Sequence, residues 1–354
     1  AVTLMQYFRA YGYTVKGGGK IFHGANRPGD LDSWDFYFKA SRTKSEYKRP
    51  SHLPASAWAP WGPLDNDDSD MLDSKVINWA ISELEKTHGK PFFLACGFTK
   101  PHLPWHVPRK YFDMHPLDKI VLPKTLINDR EDLPVFGKKL AQEVHDVSGP
   151  RNFAKHGEDH DMVLKYNQWH RAVQSYLATI SFVDFHVGRL LKSLQNSEHA
   201  RNTIIVLWGD HGWHLGEKQH WRKHALWETT TRTTLIISAP EQFQKNQLCQ
   251  SPVSLIDLYP TIVELCSLPA RKGLDGQSIV PLLQNPKRKW IRPVLTTFGK
   301  GNHAVRTERW RYIRYHDGGE ELYDHYTDPH EWTNLAKLSH HSLVIEHLRK
   351  SLPK

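Results

Sequence analysis

Apolar positions along the chain alternate between two spacings. Short runs rich in β-branched and aromatic residues occur at Tyr13–Val15, Pro91–Phe98, Thr203–Leu207 and Leu235–Ile237. Runs of that length read as buried strands of an α/β sheet. Between them, apolar residues recur three and four apart. Leu4, Tyr7 and Phe8 share the face of a first helix, which Gly12 stops. Leu72, Val76, Trp79 and Leu84 mark an amphipathic helix. A long stripe from Trp169 through Val173, Ile180 and Val187 to Leu194 predicts a scaffold helix. Another helix leads from Leu255 to about Leu268. Strands alternating with helices predict an α/β body. From about residue 286 the texture changes. Val294–Phe298, Ala304–Arg306, Trp310–Tyr315 and Leu322–Asp324 read as hairpin strands, and Leu343, Ile345 and Leu348 as a closing helix. The expected division is therefore a main domain over 1–285 and a small antiparallel subdomain over 286–354.

The strand ends carry the chemistry. Thr203–Leu207 runs into Trp208-Gly209-Asp210-His211-Gly212. This sets a carboxylate beside an imidazole at the C-terminal end of an expected central strand, where open α/β sheets place their ligands. Gly216–Lys223 follows, polar and basic, with groups suited to an anion. Gly17-Gly18-Gly19 reads as a glycine-rich loop after the first strand, carrying Lys20 and His23. Pro91–Phe98 runs into Thr99-Lys100-Pro101-His102-Leu103-Pro104-Trp105, a third basic cluster at a strand end, stiffened by two prolines. Residues 25–70 show no period and read as a long surface excursion. Asp65–Asp68 lacks the glycine and distal glutamate of an EF-hand and reads as a helix lead-in. Residues 114–160 read as charged loop, and His106 and His115 as surface histidines.

Composition narrows this further. At 354 residues the chain can bury a substantial core. Its formal charge of +9 is scattered rather than blocked, so an anionic substrate suits it and nucleic acid is not called for. The 23 histidines fit metal or anion chemistry, and the 13 tryptophans fit stacking on sugar rings. Cys96, Cys249 and Cys266 have no metal-binding spacing. No apolar run is long enough for a membrane span. The chain opens inside a helix-like pattern, with neither an initiator methionine nor a signal-peptide pattern, and is expected to be the N-terminally truncated part of a longer protein.

Taken together, Gly19–His23, Gly97–Pro104, the Gly-Asp-His-Gly-x-x-Leu-Gly-Glu run over 209–217 and Trp221-Arg222-Lys223 resemble the sulfatases, most closely the iduronate-2-sulfatase-like branch. Asp257–Thr261, Gly273–Ser278, Glu321–Asp324 and Asp328-Pro329 resemble that family's later landmarks. The resemblance implies an alkaline-phosphatase-like fold, a mostly parallel sheet sandwiched between helices. It also implies one bound calcium ion. Metal ligands fall at Asp210 and His211, and catalytic sulfate-binding or proton-transfer roles at Lys20, His23, His102 and Lys223. Calcium favours oxygen, so Asp210 is the firmer ligand. Lysines can stabilise developing sulfate charge and a histidine can protonate the leaving group. Lys100, Trp105, His220, Arg222 and His224 are read as substrate contacts, beside His214 and Trp227, or else as ordinary exposed loop side chains.

One departure is marked. The family's Cys/Ser-x-Pro-x-Arg motif, whose nucleophile matures to formylglycine, and its Asp-Asp metal pair are missing from their places. Ser267-Leu268-Pro269-Ala270-Arg271 fits the motif by letter but follows a helix far downstream. The formylglycine is therefore expected in a preceding segment, leaving this chain alone inactive. A sulfated sugar is the expected substrate, met in a secreted, periplasmic or lysosomal setting. The alternatives are a phosphodiesterase or phosphatase of the same superfamily, and a non-catalytic relative binding anionic glycans.

Overall fold

The computed structural model describes residues 2–23, 31–41, 61–142, 159–240 and 242–353. The chain forms two compact units, Ala1–Leu122 with Val163–Thr203, and Pro123–Met162 with Ile204–Lys354. The boundary expected at residue 286 falls inside the second unit. Most of the 25–70 excursion, and residues 143–158 of the 114–160 loop, lie outside the described residues. No helix among those described is long and apolar enough to cross a membrane.

In the first unit, strands β1 (Thr14–Gly19), β2 (Phe36–Phe38) and β3 (Phe92–Gly97) form a parallel sheet in the order β2-β1-β3. Gly17–Gly19, expected as a loop, is the second half of β1. The reason is packing on both faces. A Cβ at Gly17 would lie 2.5 Å from the Trp34 ring, and one at Gly18 2.8 Å from Trp79. The indoles occupy the room that side chains would need, so glycine here reports close packing.

The Leu72–Leu84 helix is entered from a 3-10 turn at Asp68–Asp70, the lead-in expected there. The Trp169–Gln195 helix is present, and Val173 and Leu194 of the expected stripe are buried, but small and polar residues outside the stripe share the buried face. Ala172, Val173, Ser175, Ala178, Thr179, Phe182 and His186 are buried, whereas Ile180 is 40% exposed. Ala178 and Phe182 pack with Val107, Tyr111 and Phe112. His186 Nε2 pairs with Ser74 Oγ at 2.9 Å. A close helix contact favours small side chains and a satisfied polar pair, which hydrophobicity alone does not reveal.

In the second unit, β4 (Ile205–Trp208) pairs antiparallel with Leu235–Ser238, numbered β7 in chain order after β5 (His214–Leu215) and β6 (Trp221–Arg222), themselves an antiparallel pair. Full burial was expected of β4 and β7. Both are instead half-buried, with Trp208 48% and Ile236 55% exposed. The C-terminal sheet is antiparallel as expected, in the order β11 (Glu320–Asp324), β10 (Trp310–Arg314), β9 (His303–Arg306), β8 (Val294–Thr297). Both of its faces are covered. Val305, Tyr312 and Leu322 pack against Ile345 and Leu348 of the Ser342–Arg349 helix. Ala304, Ile313 and Tyr323 pack against Leu140, Leu226 and Trp227.

Charged groups are buried on that second face. Glu321 is 0% exposed and accepts hydrogen bonds from Tyr315 Oη and Tyr323 Oη, each 2.7 Å, and from Trp227 Nε1 at 2.8 Å. Burial still pushes its pKa up. Arg311, 2% exposed, pairs with Glu228 and with Glu331. Arg306 also reaches Glu228, at 3.0 Å. Burial alone would raise the pKa of Glu228, but the Arg311 and Arg306 guanidiniums outweigh it and hold the carboxyl down to about 2.

Two outcomes follow from this packing. Gly17→Ala should lower the unfolding free energy by about 1–3 kcal/mol in urea titration, through overpacking against Trp34. Gly89→Ala, whose Cβ would meet nothing within 4 Å, should change it by less than about 0.5 kcal/mol. The depressed Glu228 carboxyl stabilises the fold above its ordinary pKa of 4.5, and that stability is lost as pH falls from there to about 2. The group's share is roughly 3 kcal/mol. Glu228→Gln should be less stable at neutral pH and show a flatter acid limb in unfolding titrations across that window.

Candidate active site

The first unit brings Lys20 and the His102 turn to one sheet edge. β1 and β3 run in register, with Gly19 opposite Gly97. Gly19 has φ +84, and a Cβ there would lie 2.0 Å from the Gly97 oxygen. A Cβ on Gly97 would lie 2.2 Å from the Lys20 oxygen. The two backbones therefore touch where they leave the sheet, and Lys20 N–H donates to Gly97 O at 2.9 Å. Lys20 is half-buried here and His23 is exposed.

The turn after β3 is held from below. Asp73, 3% exposed in the first turn of the Leu72–Leu84 helix, accepts the backbone N–H groups of Thr99 at 2.8 Å and Lys100 at 2.9 Å. Burial raises its pKa, opposed by those two amides. The Lys100-Pro101 and Leu103-Pro104 peptides are cis. Trp105 is fully buried, donates to Pro101 O at 2.8 Å, and stacks on Trp61 with ring centroids 5.8 Å apart. Trp105 thus lies beneath the surface where a substrate contact was expected. Lys100 Nζ donates to Pro104 O at 2.5 Å, bracing its own turn. His106, expected on the surface, is 2% exposed and hydrogen-bonds Gly62 O.

His102 is half-buried, with Nδ1 2.6 Å from Leu103 O. A carbonyl only accepts, so Nδ1 carries the proton and Nε2 is the atom that can give or take one. Cys96, on β3, is not a competing nucleophile, because burial pushes its thiol up to about 12. Ser267, in the sequence decoy, is an exposed residue with φ +53 just past the Leu258–Leu265 helix.

The second unit holds Asp210 and His211 directly after β4. A Cβ on Gly209 would lie 2.3 Å from Thr233 Oγ1, and one on Gly212 2.0 Å from Thr229 O. Glycine on both sides thus lets the Asp-His turn press against the segment leading to β7. His211 Nδ1 donates to Gly212 O at 2.7 Å, which turns Nε2 toward Asp210 Oδ2 at 3.5 Å. The Asp210 carboxylate is 74% exposed. A carboxylate oxygen and an imidazole nitrogen so disposed suit a cation. Calcium takes six to eight ligands, mostly oxygen, so the pair fits as part of a larger set.

Lys223 follows β6 and is half-buried. Its neighbours depart from the expected anion-binding surface. Lys218 is 3% exposed, pairs with Asp129 at 2.8 Å and lies over the Trp227 and Tyr323 rings. Arg222 pairs with Asp159. His220 and His214 are 2% and 1% exposed and pack on Trp227, so His220 also lies beneath the surface. His224 stacks on Phe298. Sequence reasoning missed the burial of Lys218, Arg311, Glu321 and Glu331, since nothing local in the sequence marks a charge as buried.

Glu228, His325 and Glu331 are close enough to share a metal ion. Their oxygens already meet the Arg306 and Arg311 guanidiniums, so the charge a cation would neutralise is satisfied. We read the cluster as an ion-pair network.

Comparisons with known proteins bear on what this arrangement is. Residues 1–268 match the family model described as Sulfatase, and residues 216–354 the one described as N-sulphoglucosamine sulphohydrolase, C-terminal. A sulfatase of Formosa agariphila is 36% identical, over 100% of this chain and 69% of its own length. Iduronate 2-sulfatase of Homo sapiens is 32% identical, over 79% of this chain and 55% of its own length. The chain thus spans little more than half of the human relative. Among solved structures, a 2-O GAG sulfatase superposes with a TM-score of 0.71 at 21% identity, covering 98% of this chain and 72% of that one. A phosphonate monoester hydrolase from Silicibacter pomeroyi gives 0.75 at 20% identity, covering 98% and 78%. At such identities the structures speak for the fold, which is the alkaline-phosphatase-like α/β fold expected. The match to the Formosa protein over the whole of this chain and the family model over most of it settle the relationship: the chain belongs to the sulfatase family.

Proposed function

We propose that the protein containing this chain hydrolyses sulfate esters on a sulfated saccharide. The observation that carries this reading is the convergence of Lys20 and the His102 turn on one sheet edge in a chain of the sulfatase family. Lys20, His23 and Lys223 bind and stabilise the sulfate oxygens as charge develops on them. His102, as an imidazolium, gives its Nε2 proton to the departing sugar alkoxide and is left neutral, with Nδ1–H still donated to Leu103 O. Asp210 and His211 would contribute ligands to a calcium ion, which when bound would supply electrostatic stabilisation of the sulfate. The remaining ligands and the formylglycine nucleophile belong to sequence outside this chain. Among the expected substrate contacts, His224 keeps a half-buried ring for a sugar, whereas Trp105 and His220 support their loops from below. Sulfated glycans are met outside the cytoplasm, so we assign the protein to a secreted, periplasmic or lysosomal setting.

A second reading is phosphate or phosphonate ester hydrolysis, since the same fold is also carried by a phosphonate monoester hydrolase. The deciding measurement is sulfate release from sulfated mono- and disaccharides by the full-length protein, run beside an aryl phosphonate monoester. Turnover of the phosphonate with no sulfate released from any sugar would overturn the first reading. His102→Ala is expected to lower kcat by about 10²–10⁴-fold on substrates with a sugar leaving group. The loss should shrink with a nitrophenol leaving group, which needs no proton. Lys20→Ala and Lys223→Ala should each cost about 10²–10³-fold. Asp210→Asn should raise the calcium concentration for half-maximal activity at least about tenfold.

A further inference from the structure

The segment from Gly216 to Thr231 carries Lys223, and its two ends are gripped in an unusual way. Near one end, Lys218 Nζ donates to Asp129 Oδ1 at 2.8 Å and to the Glu331 backbone oxygen at 2.5 Å. At the other, three successive residues are held by side chains of the C-terminal sheet and the turn after it. Arg311 Nη1 donates to Leu226 O at 3.0 Å. Trp227 Nε1 donates to Glu321 Oε2 at 2.8 Å. Glu228 N–H donates to Glu331 Oε2 at 2.8 Å. Lys218, Leu226, Trp227, Arg311, Glu321 and Glu331 are all at most 3% exposed.

Apolar packing alone would attach a sheet to its neighbour, as Ile313 and Tyr323 do here. Directing buried charges at the main-chain atoms of residues 226 and 228 does something more specific. Sliding the segment by even one residue would strand a buried carboxylate or guanidinium without its partner, at high free-energy cost. Lys223 lies between the two gripped points, with its own carbonyl accepting from Ala225 N–H at 2.9 Å.

We propose that the C-terminal antiparallel sheet is a positioning device for Lys223, with Arg311 and Glu331 as positioning residues acting through the main chain at 226 and 228, and Glu321 through the Trp227 indole. This rests on the role proposed above for Lys223. The sheet then serves catalysis without touching substrate: it fixes where the ammonium stands relative to the sulfate.

The test uses the full-length protein with Trp227→Phe, which removes one N–H and keeps a ring, and Glu321→Gln, which keeps the volume. Arg309→Ala is the control, since Arg309 pairs with Asp324 on the same sheet without reaching the segment. Three readouts are taken: kcat and KM on a sulfated sugar, hydrogen exchange of peptides spanning 220–230, and the rate of amine-selective labelling at Lys223. The expected result is a fall in kcat of about 10- to 100-fold with KM little changed. Faster exchange over 220–230 and altered Lys223 labelling should accompany it, with Arg309→Ala like the parent in all three. Exchange and labelling that match the parent in both variants would overturn the proposal, as would full kcat in both. Should Glu321→Gln fail to fold, Trp227→Phe decides alone. Should the parent release no sulfate, the catalytic reading fails, while exchange and labelling still report whether the grip exists.

Discussion

The first unit depends on a contact between main chains. β1 and β3 meet at Gly19 and Gly97 so closely that neither position has room for a Cβ. That contact sets the starting point of both loops that matter, the one with Lys20 and the one with His102. Everything around it keeps the approach possible. Trp34 and Trp79 fill the space above Gly17 and Gly18, and Asp73 ties down the amides of Thr99 and Lys100. Larger residues at any of these glycines would push the strands apart and move two candidate catalytic side chains together.

The second unit is organised by buried charge. Glu228, Arg306, Arg311 and Glu331 form a connected set of ion pairs, which Lys218 joins through the Glu331 carbonyl, while Glu321 is satisfied separately by Tyr315, Tyr323 and Trp227. Such a network contributes little net stability compared with an apolar core, yet it strongly penalises alternative arrangements. Here it specifies how the segment after β6 lies on the C-terminal sheet. Where a metal could have been read into Glu228, His325 and Glu331, the arginines make cation binding superfluous.

Two histidines share a device. His102 and His211 each commit Nδ1 to a carbonyl of the following residue, leaving Nε2 as the working atom. The same local geometry serves different proposed ends. Beside a sulfate-binding turn Nε2 is suited to proton transfer, and beside the Asp210 carboxylate it is suited to a cation.

By itself the sequence determined the element types, through the switch between periods of two and about 3.6. It also determined the placing of basic clusters at strand ends, and the sulfatase resemblance those clusters carry. It misread Gly17–Gly19 as a loop, because the indoles that demand glycine there come from elsewhere in the chain. It took His106 for a surface residue and Trp105 and His220 for substrate contacts, because polarity and loop position do not reveal which side chains fold inward onto a carbonyl or another ring. It found Val173 and Leu194 on the buried face of the Trp169–Gln195 helix but not Ala178, Thr179 and His186, which are buried while Ile180 is exposed. Only the tertiary structure decided which distant charges would meet. Pairs such as Glu321 with Trp227 or Lys218 with Asp129 have no local pattern, since what makes a buried charge tolerable is a partner that chain topology, and not spacing, delivers.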